Sequence, residues 1–187
     1  MIDISLNYLS NSSAISLGVL ALLSFYLIIT FWMFIYKFFL LSDKIQSEKN
    51  NLNSLVSRDS KINPLSRIGQ CIGETKISKE ILSVCETSFV RDVSSGLSWL
   101  SIISSTAPFI GLFGTVVGIL ESFAKFSTVS KVSFSTIAPV ISEALVATAA
   151  GIFVAIFAYT FHQILTRKVY EYNTYLRSQA DIILARG

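Results

Sequence analysis

Trp99 to Leu120 reads WLSIISSTAPFIGLFGTVVGIL, a run without a single Asp, Glu, Lys or Arg. A helix rises ~1.5 Å per residue and the hydrocarbon of a bilayer is ~30 Å thick, so this run is long enough to cross it. Ala14 to Tyr36 and Ile137 to Gln163 have the same character, and the one charged residue in all three is Glu143. The chain of 187 residues is 52% hydrophobic and 14% charged, too little polar surface for a soluble domain. The predicted fold class is therefore an all-α membrane protein with three transmembrane helices.

A cleaved signal peptide would need a basic residue ahead of the first run, and no Lys or Arg precedes Lys37. The first run is thus expected to stay as a span. Basic residues gather in the connection after it, Lys37 to Arg91, and in the tail, Arg167 to Arg186, leaving Lys125 and Lys131 between the second and third runs. The positive-inside rule puts the connection and the tail in the cytoplasm. The expected layout is an N-terminus at 1–13 outside the cytoplasm, spans at 14–36, 99–120 and 137–163, cytoplasmic regions at 37–98 and 164–187, and a non-cytoplasmic loop at 121–136, the outer side being the periplasm if the membrane is a bacterial inner one. The formal charge of +3 follows from bases that flank the membrane and calls for no nucleic-acid partner. Cys71 and Cys85 then lie in a reducing compartment at a spacing that fits no metal motif, and are read as small apolar residues.

The cytoplasmic connection carries a helical face. Ile77, Ile81, Val84, Cys85, Phe89, Val93, Leu97 and Leu100 recur at helical spacing, predicting one long helix that runs into the second span. Leu165, Val169, Tyr172, Leu176 and Ile183 continue an apolar face beyond the third span. Asn63-Pro64 and Gly69 to Gly73 are expected to be turns, and Ser5 to Ser13 a polar approach to the membrane. Three helices bury little among themselves, so the chain is expected to assemble with others.

Ser104, Pro108, Gly111, Thr115, Gly118 and Ser122 form one small, polar stripe on the second span. Gly114 and Gly118 add a Gly-x-x-x-Gly packing pattern. On the third span Ala144, Thr148, Gly151 and Ala155 share a face. Helix rise places Thr115 ~10 Å and Thr148 ~16 Å from the non-cytoplasmic ends, so the two hydroxyls can meet near mid-membrane. A lone intramembrane Thr usually bonds back to its own helix, which makes packing the simpler reading of each residue. Repeated around an axis, however, the pair would line a narrow polar path. Pro108 and Pro139 are candidate kinks.

Glu143 is the one carboxylate well inside a span, and a buried carboxylate costs at least a few kcal/mol, so it is a functional candidate. It lies five residues from Thr148, about 140° around the helix, and cannot share that face. Proton handling, a hydrogen bond between subunits, and a reach toward the interface all remain open for it. The spans hold neither a Ser/His nor an Asp/Asp pair at helical spacing for proteolysis, and no metal-ligand cluster, so an enzyme is not expected. His162 reads as an interfacial residue.

Taken together, Ala107 to Ile119 (APFIGLFGTVVGI) and Ala138 to Gly151 (APVISEALVATAAG) resemble the paired signatures of the TolQ/ExbB family of proton-channel subunits, within the MotA/TolQ/ExbB superfamily. That resemblance implies a pentamer whose second and third spans surround a pore in the bacterial inner membrane. It implies a single-span, Asp-bearing partner of the TolR/ExbD kind and a TolA/TonB-like protein that receives the work. By the same resemblance Thr115 and Thr148 would line the pore and Glu143 would be the intramembrane glutamate. Gly111, Gly114, Gly118, Ala144, Gly151 and Ala155 would pack helices, the transported ion would be H+, and no cofactor is implied. The chain departs from the family pattern at Val140 and Phe157, where Gly and Pro are frequent, and three spans argue against a flagellar stator. Two functions stand at this point: a proton-channel subunit, of a Tol-Pal system in preference to a TonB-dependent one, and a non-conducting membrane scaffold.

Overall fold

The computed structural model describes residues 14–57, 67–72, 78–126 and 134–186. All regular structure among them is helical: α1 (Ala14–Val56), α2 (Arg67–Ile72), α3 (Lys79–Ser94), α4 (Leu97–Phe126) and α5 (Phe134–Arg186). Helices α1, α4 and α5 are each long and apolar enough to cross a membrane. Only 17%, 33% and 28% of their most apolar windows are buried within the chain. Most of that apolar surface therefore faces outward, which is stable only where lipid or another chain replaces water.

The chain divides into two compact units, 1–32 with 99–161, and 33–98 with 162–187. The first is an apolar three-helix unit. Its core is Val19, Leu23, Ile103, Ala107, Ala147, Val154, Ala155 and Ala158, mostly small side chains that let backbones approach. Phe157 packs its ring on Phe31, Phe153 and Phe161, with centroids 5.5, 4.9 and 5.9 Å away. Helix α5 runs through this position unbroken, as α4 and α5 do through Pro108 and Pro139.

The second unit packs the ends of α1 and α5 with α2 and α3. Its core is filled by large side chains, Leu41, Ile45, Leu55, Ile68, Leu82, Val93, Tyr172, Leu176 and Ile183 among them. Polar links tie α3 to its neighbours. Lys44 and Arg67 reach Asp92 at 3.4 and 3.6 Å, and Arg177 reaches Glu86 at 3.0 Å. Lys168 donates to the Ser42 hydroxyl at 2.9 Å and sits 4.4 Å over the Phe38 ring.

Four local expectations change. The helix predicted to run through the connection into the second span is broken at Ser95-Gly96, because Gly96 takes φ +84°, a backbone state that side chains disfavour. Gly69 lies within α2 rather than in a turn; one glycine weakens a helix without forbidding it. Helix α4 continues to Phe126 and α5 begins at Phe134, so helix occupies both ends of the segment expected as a loop, 121–136. Cys85 is disulfide-bonded and buried in the core, not a reduced apolar residue. A compartment argument gives the favoured redox state, but says nothing about which sulfurs the fold brings within reach. Asn63-Pro64, Gly73 and Ser5 to Ser13 lie outside the described residues.

Candidate functional site

Helices α4 and α5 meet along their small stripes. A Cβ placed on Gly111 would lie 2.7 Å from the Ala147 carbonyl oxygen, and one on Gly151 would lie 2.6 Å from that of Ala107. The paired positions rise along one helix as they fall along the other, so the two helices are antiparallel. Contact this close between backbones excludes any side chain larger than hydrogen at both glycines. Gly114 faces α1 as well as α5: its Cβ would meet Val19 Cγ1 of α1 at 2.9 Å and Ala147 Cβ of α5 at 3.2 Å. Gly118, Ala144 and Ala155 are also buried within the chain.

One turn from the glycine contact, the two threonines meet. The Thr115 and Thr148 hydroxyls are hydrogen-bonded to each other. Thr115 Oγ1 lies 3.2 Å from the Gly111 carbonyl of its own helix and 3.1 Å from the Ala144 carbonyl across the seam. Thr148 Oγ1 lies 3.3 Å from the Gly111 carbonyl, also across the seam. Back-bonding to the own helix thus accounts for Thr115 in part, whereas the bonds of Thr148, to the Thr115 hydroxyl and the Gly111 carbonyl, cross between helices. Two hydroxyl protons face two carbonyl oxygens that can only accept, so both protons have partners inside the chain. Thr115 is 7% exposed and Thr148 is half-buried. Access to the pair is therefore from the Thr148 side.

Glu143 is half-buried. The structure brings Thr115, Thr148, Gly111, Gly151 and Ala144 into one cluster, while Glu143, five residues before Thr148, points about 140° away from it around α5. Sequence reasoning missed two members, the carbonyls of Gly111 and Ala144, because main-chain atoms carry no residue signature. Spacing does give a signal for them: each lies four residues before a stripe threonine, the offset at which a carbonyl faces a hydroxyl one turn on. Among the described residues, no group of three or more His, Cys, Asp or Glu could hold a metal ion.

The segment that carries this seam matches known proteins. The profile of the MotA/TolQ/ExbB proton channel family matches residues 64–178, which include both stripes. The protein called ExbB-like 1 of Helicobacter pylori is 40% identical over 188 aligned residues that cover the full length of both chains. Biopolymer transport protein ExbB of Pseudomonas putida is 39% identical over 94 residues, half of this chain and 29% of that protein. Tol-Pal system protein TolQ of Pseudomonas aeruginosa is 48% identical over 64 residues, 34% of this chain and 28% of that protein.

Proposed function

The chain belongs to the MotA/TolQ/ExbB proton channel family, and from that premise we propose that it is the multi-span subunit of an inner-membrane machine driven by the proton motive force. Several copies, five by the family resemblance, surround a path lined by the Thr115 and Thr148 pair. A single-span, Asp-bearing partner of the TolR/ExbD kind sits in that path, and a TolA/TonB-like protein takes up the work toward the cell envelope. The N-terminus is periplasmic and the C-terminus cytoplasmic, the chain is not an enzyme, and the ion moved is H+. Of the two systems we favour the ExbB-like one, since the relative matching over its full length carries that name. The TolQ match covers a third of the chain.

One observation carries this reading: a four-oxygen polar point, two hydroxyls and two carbonyls, built into an otherwise apolar helix seam and open on the Thr148 side. Each proton that crosses releases ~2.3 kcal/mol per 100 mV. Protonation of the partner's acid changes which hydrogen bonds it can exchange with the threonines, and so shifts the population of its positions. Glu143, away from the pair, serves structure or the interface in this account rather than an obligatory proton step.

A second reading has its own observation. The Gly111–Gly151 contact is made within one chain, so the small stripes already have a packing role that needs no channel. Proton flux into liposomes separates the two. Flux is expected only with the Asp-bearing partner present, to be abolished by Thr148→Val with the complex intact, and to be reduced less by Thr115→Val. Absence of flux from every intact combination would leave the scaffold.

A further inference from the structure

The second unit contains a polar pair where its own pattern calls for a hydrophobic one. On α1, Leu41, Ile45, Glu48 and Leu55 are buried at spacings of four, three and seven. On α5, Leu165, Tyr172, Leu176, Gln179 and Ile183 are buried at spacings of seven, four, three and four. Those are heptad seams, and the two helices run in the same direction along them. Glu48 is 3% and Gln179 0% exposed. The Gln179 amide donates to the Glu48 carboxylate at 3.0 Å and to the Glu48 main-chain carbonyl at 3.1 Å. Asn51 donates to the same carboxylate oxygen at 3.3 Å. No Lys or Arg among the described residues pairs with Glu48.

Such a pair is a poor source of stability, since two buried polar side chains do no better than a well-packed apolar pair. It is a strong source of discrimination. The offset that brings Gln179 to Glu48 places Tyr172 level with Leu41 and Leu176 level with Ile45. A slide of α5 by one heptad would again set apolar against apolar almost everywhere. It would, however, face Glu48 with Tyr172 and Gln179 with Leu55, leaving a carboxyl and an amide buried without each other. We propose that the Glu48–Gln179 pair is the register pin of the α1–α5 seam, holding the two parallel helices at one axial offset that their apolar positions alone do not specify.

The proposal is independent of the transport reading and is tested on the purified full chain in detergent. Spin labels carried by noncanonical residues at Gln46 and Thr174, both exposed, report the offset between α1 and α5. Wild type is expected to give one distance. The double variant Glu48→Leu/Gln179→Leu is expected to melt no lower than wild type but to add a second distance, reflecting an axial shift of about 10 Å, one heptad of helix rise. A single, unchanged distance in that variant would overturn the pin. Should the leucine variant not fold, the exchange variant Glu48→Gln/Gln179→Glu keeps a hydrogen-bonded layer and is expected to hold the wild-type distance. A displaced or broadened distance there overturns the proposal equally.

Discussion

Helix α5 takes part in two seams built on opposite principles. Against α4 it presents Gly151 and Ala144, and the backbones come so close that a single added carbon would lie 2.6 Å from a carbonyl oxygen. Against α1, further along, it presents Tyr172, Leu176 and Ile183, and side chains fill the space. The contrast follows from the surroundings of each. In lipid there is little hydrophobic drive between helices, so contact must come from dispersion at short range and from polar groups that meet, which favours glycine and threonine. In water the drive scales with apolar area removed, which favours large side chains. One seam is therefore intolerant of addition, and the other of deletion.

Placing alanine in each seam tests that asymmetry. Gly151→Ala is expected to have the largest effect of any single change, loss of the monodisperse folded protein in detergent, because the obstacle is backbone that cannot step aside. Size-exclusion profiles and thermal melting report it, and Gly18→Ala is the matched control, since nothing lies within 4 Å of a Cβ there. A Gly151→Ala protein as stable as that control would break the comparison. Leu176→Ala, at a fully buried position of the other seam, is expected to cost ~2–5 kcal/mol by leaving a cavity, a lower melting midpoint with the fold retained. The expected order inverts if the two seams are alike.

Polar links at the rim of the second unit should matter far less. Arg177 and Glu86 form the shortest ion pair among the described residues, but the arginine side chain is 71% exposed. Arg177→Ala is expected to cost roughly 0–1 kcal/mol, shrinking as salt is raised. A loss comparable to that of Leu176→Ala would show that this unit is held by charge rather than by its filled seam.

Much of this was readable in advance, and the part that was not has a common cause. Small residues at spacings of three and four placed the glycine contact, and two threonines counted from the membrane edge both fell near mid-membrane. Both inferences need only the geometry of a single helix. The break at Gly96 was invisible because Leu97 and Leu100 continue the apolar face past it; periodicity is blind to one residue's φ. The Glu48–Gln179 pair was missed because a polar residue in a heptad resembles part of the solvated face, and its burial depends on which helix lies opposite. The Gly111 and Ala144 carbonyls belong to the main chain and have no residue type of their own to be noticed.

The smallest effect concerns the start of α3, where the second unit begins a helix without help from either seam. Ser78 accepts a hydrogen bond from the Ile81 amide at 3.3 Å, capping the helix. Glu80 stands in its first turn, its carboxyl held below the usual carboxylate range by hydrogen bonds from its own backbone amide and from the Ser78 hydroxyl. A carboxyl whose affinity for protons is lower in the folded state stabilises the fold at pH values above its ordinary range. That stabilisation is lost as the pH falls through the folded value, since the unfolded chain then binds the proton more readily. Glu80→Gln should accordingly leave the melting midpoint almost unchanged in strong acid, lower it slightly at neutral pH, and flatten the acid limb between. Because the group is fully exposed, added salt should erase most of the difference. An acid limb identical in the two proteins would mean that α3 is held by its contacts with Arg177, Lys44 and the buried core, and that its cap contributes nothing measurable.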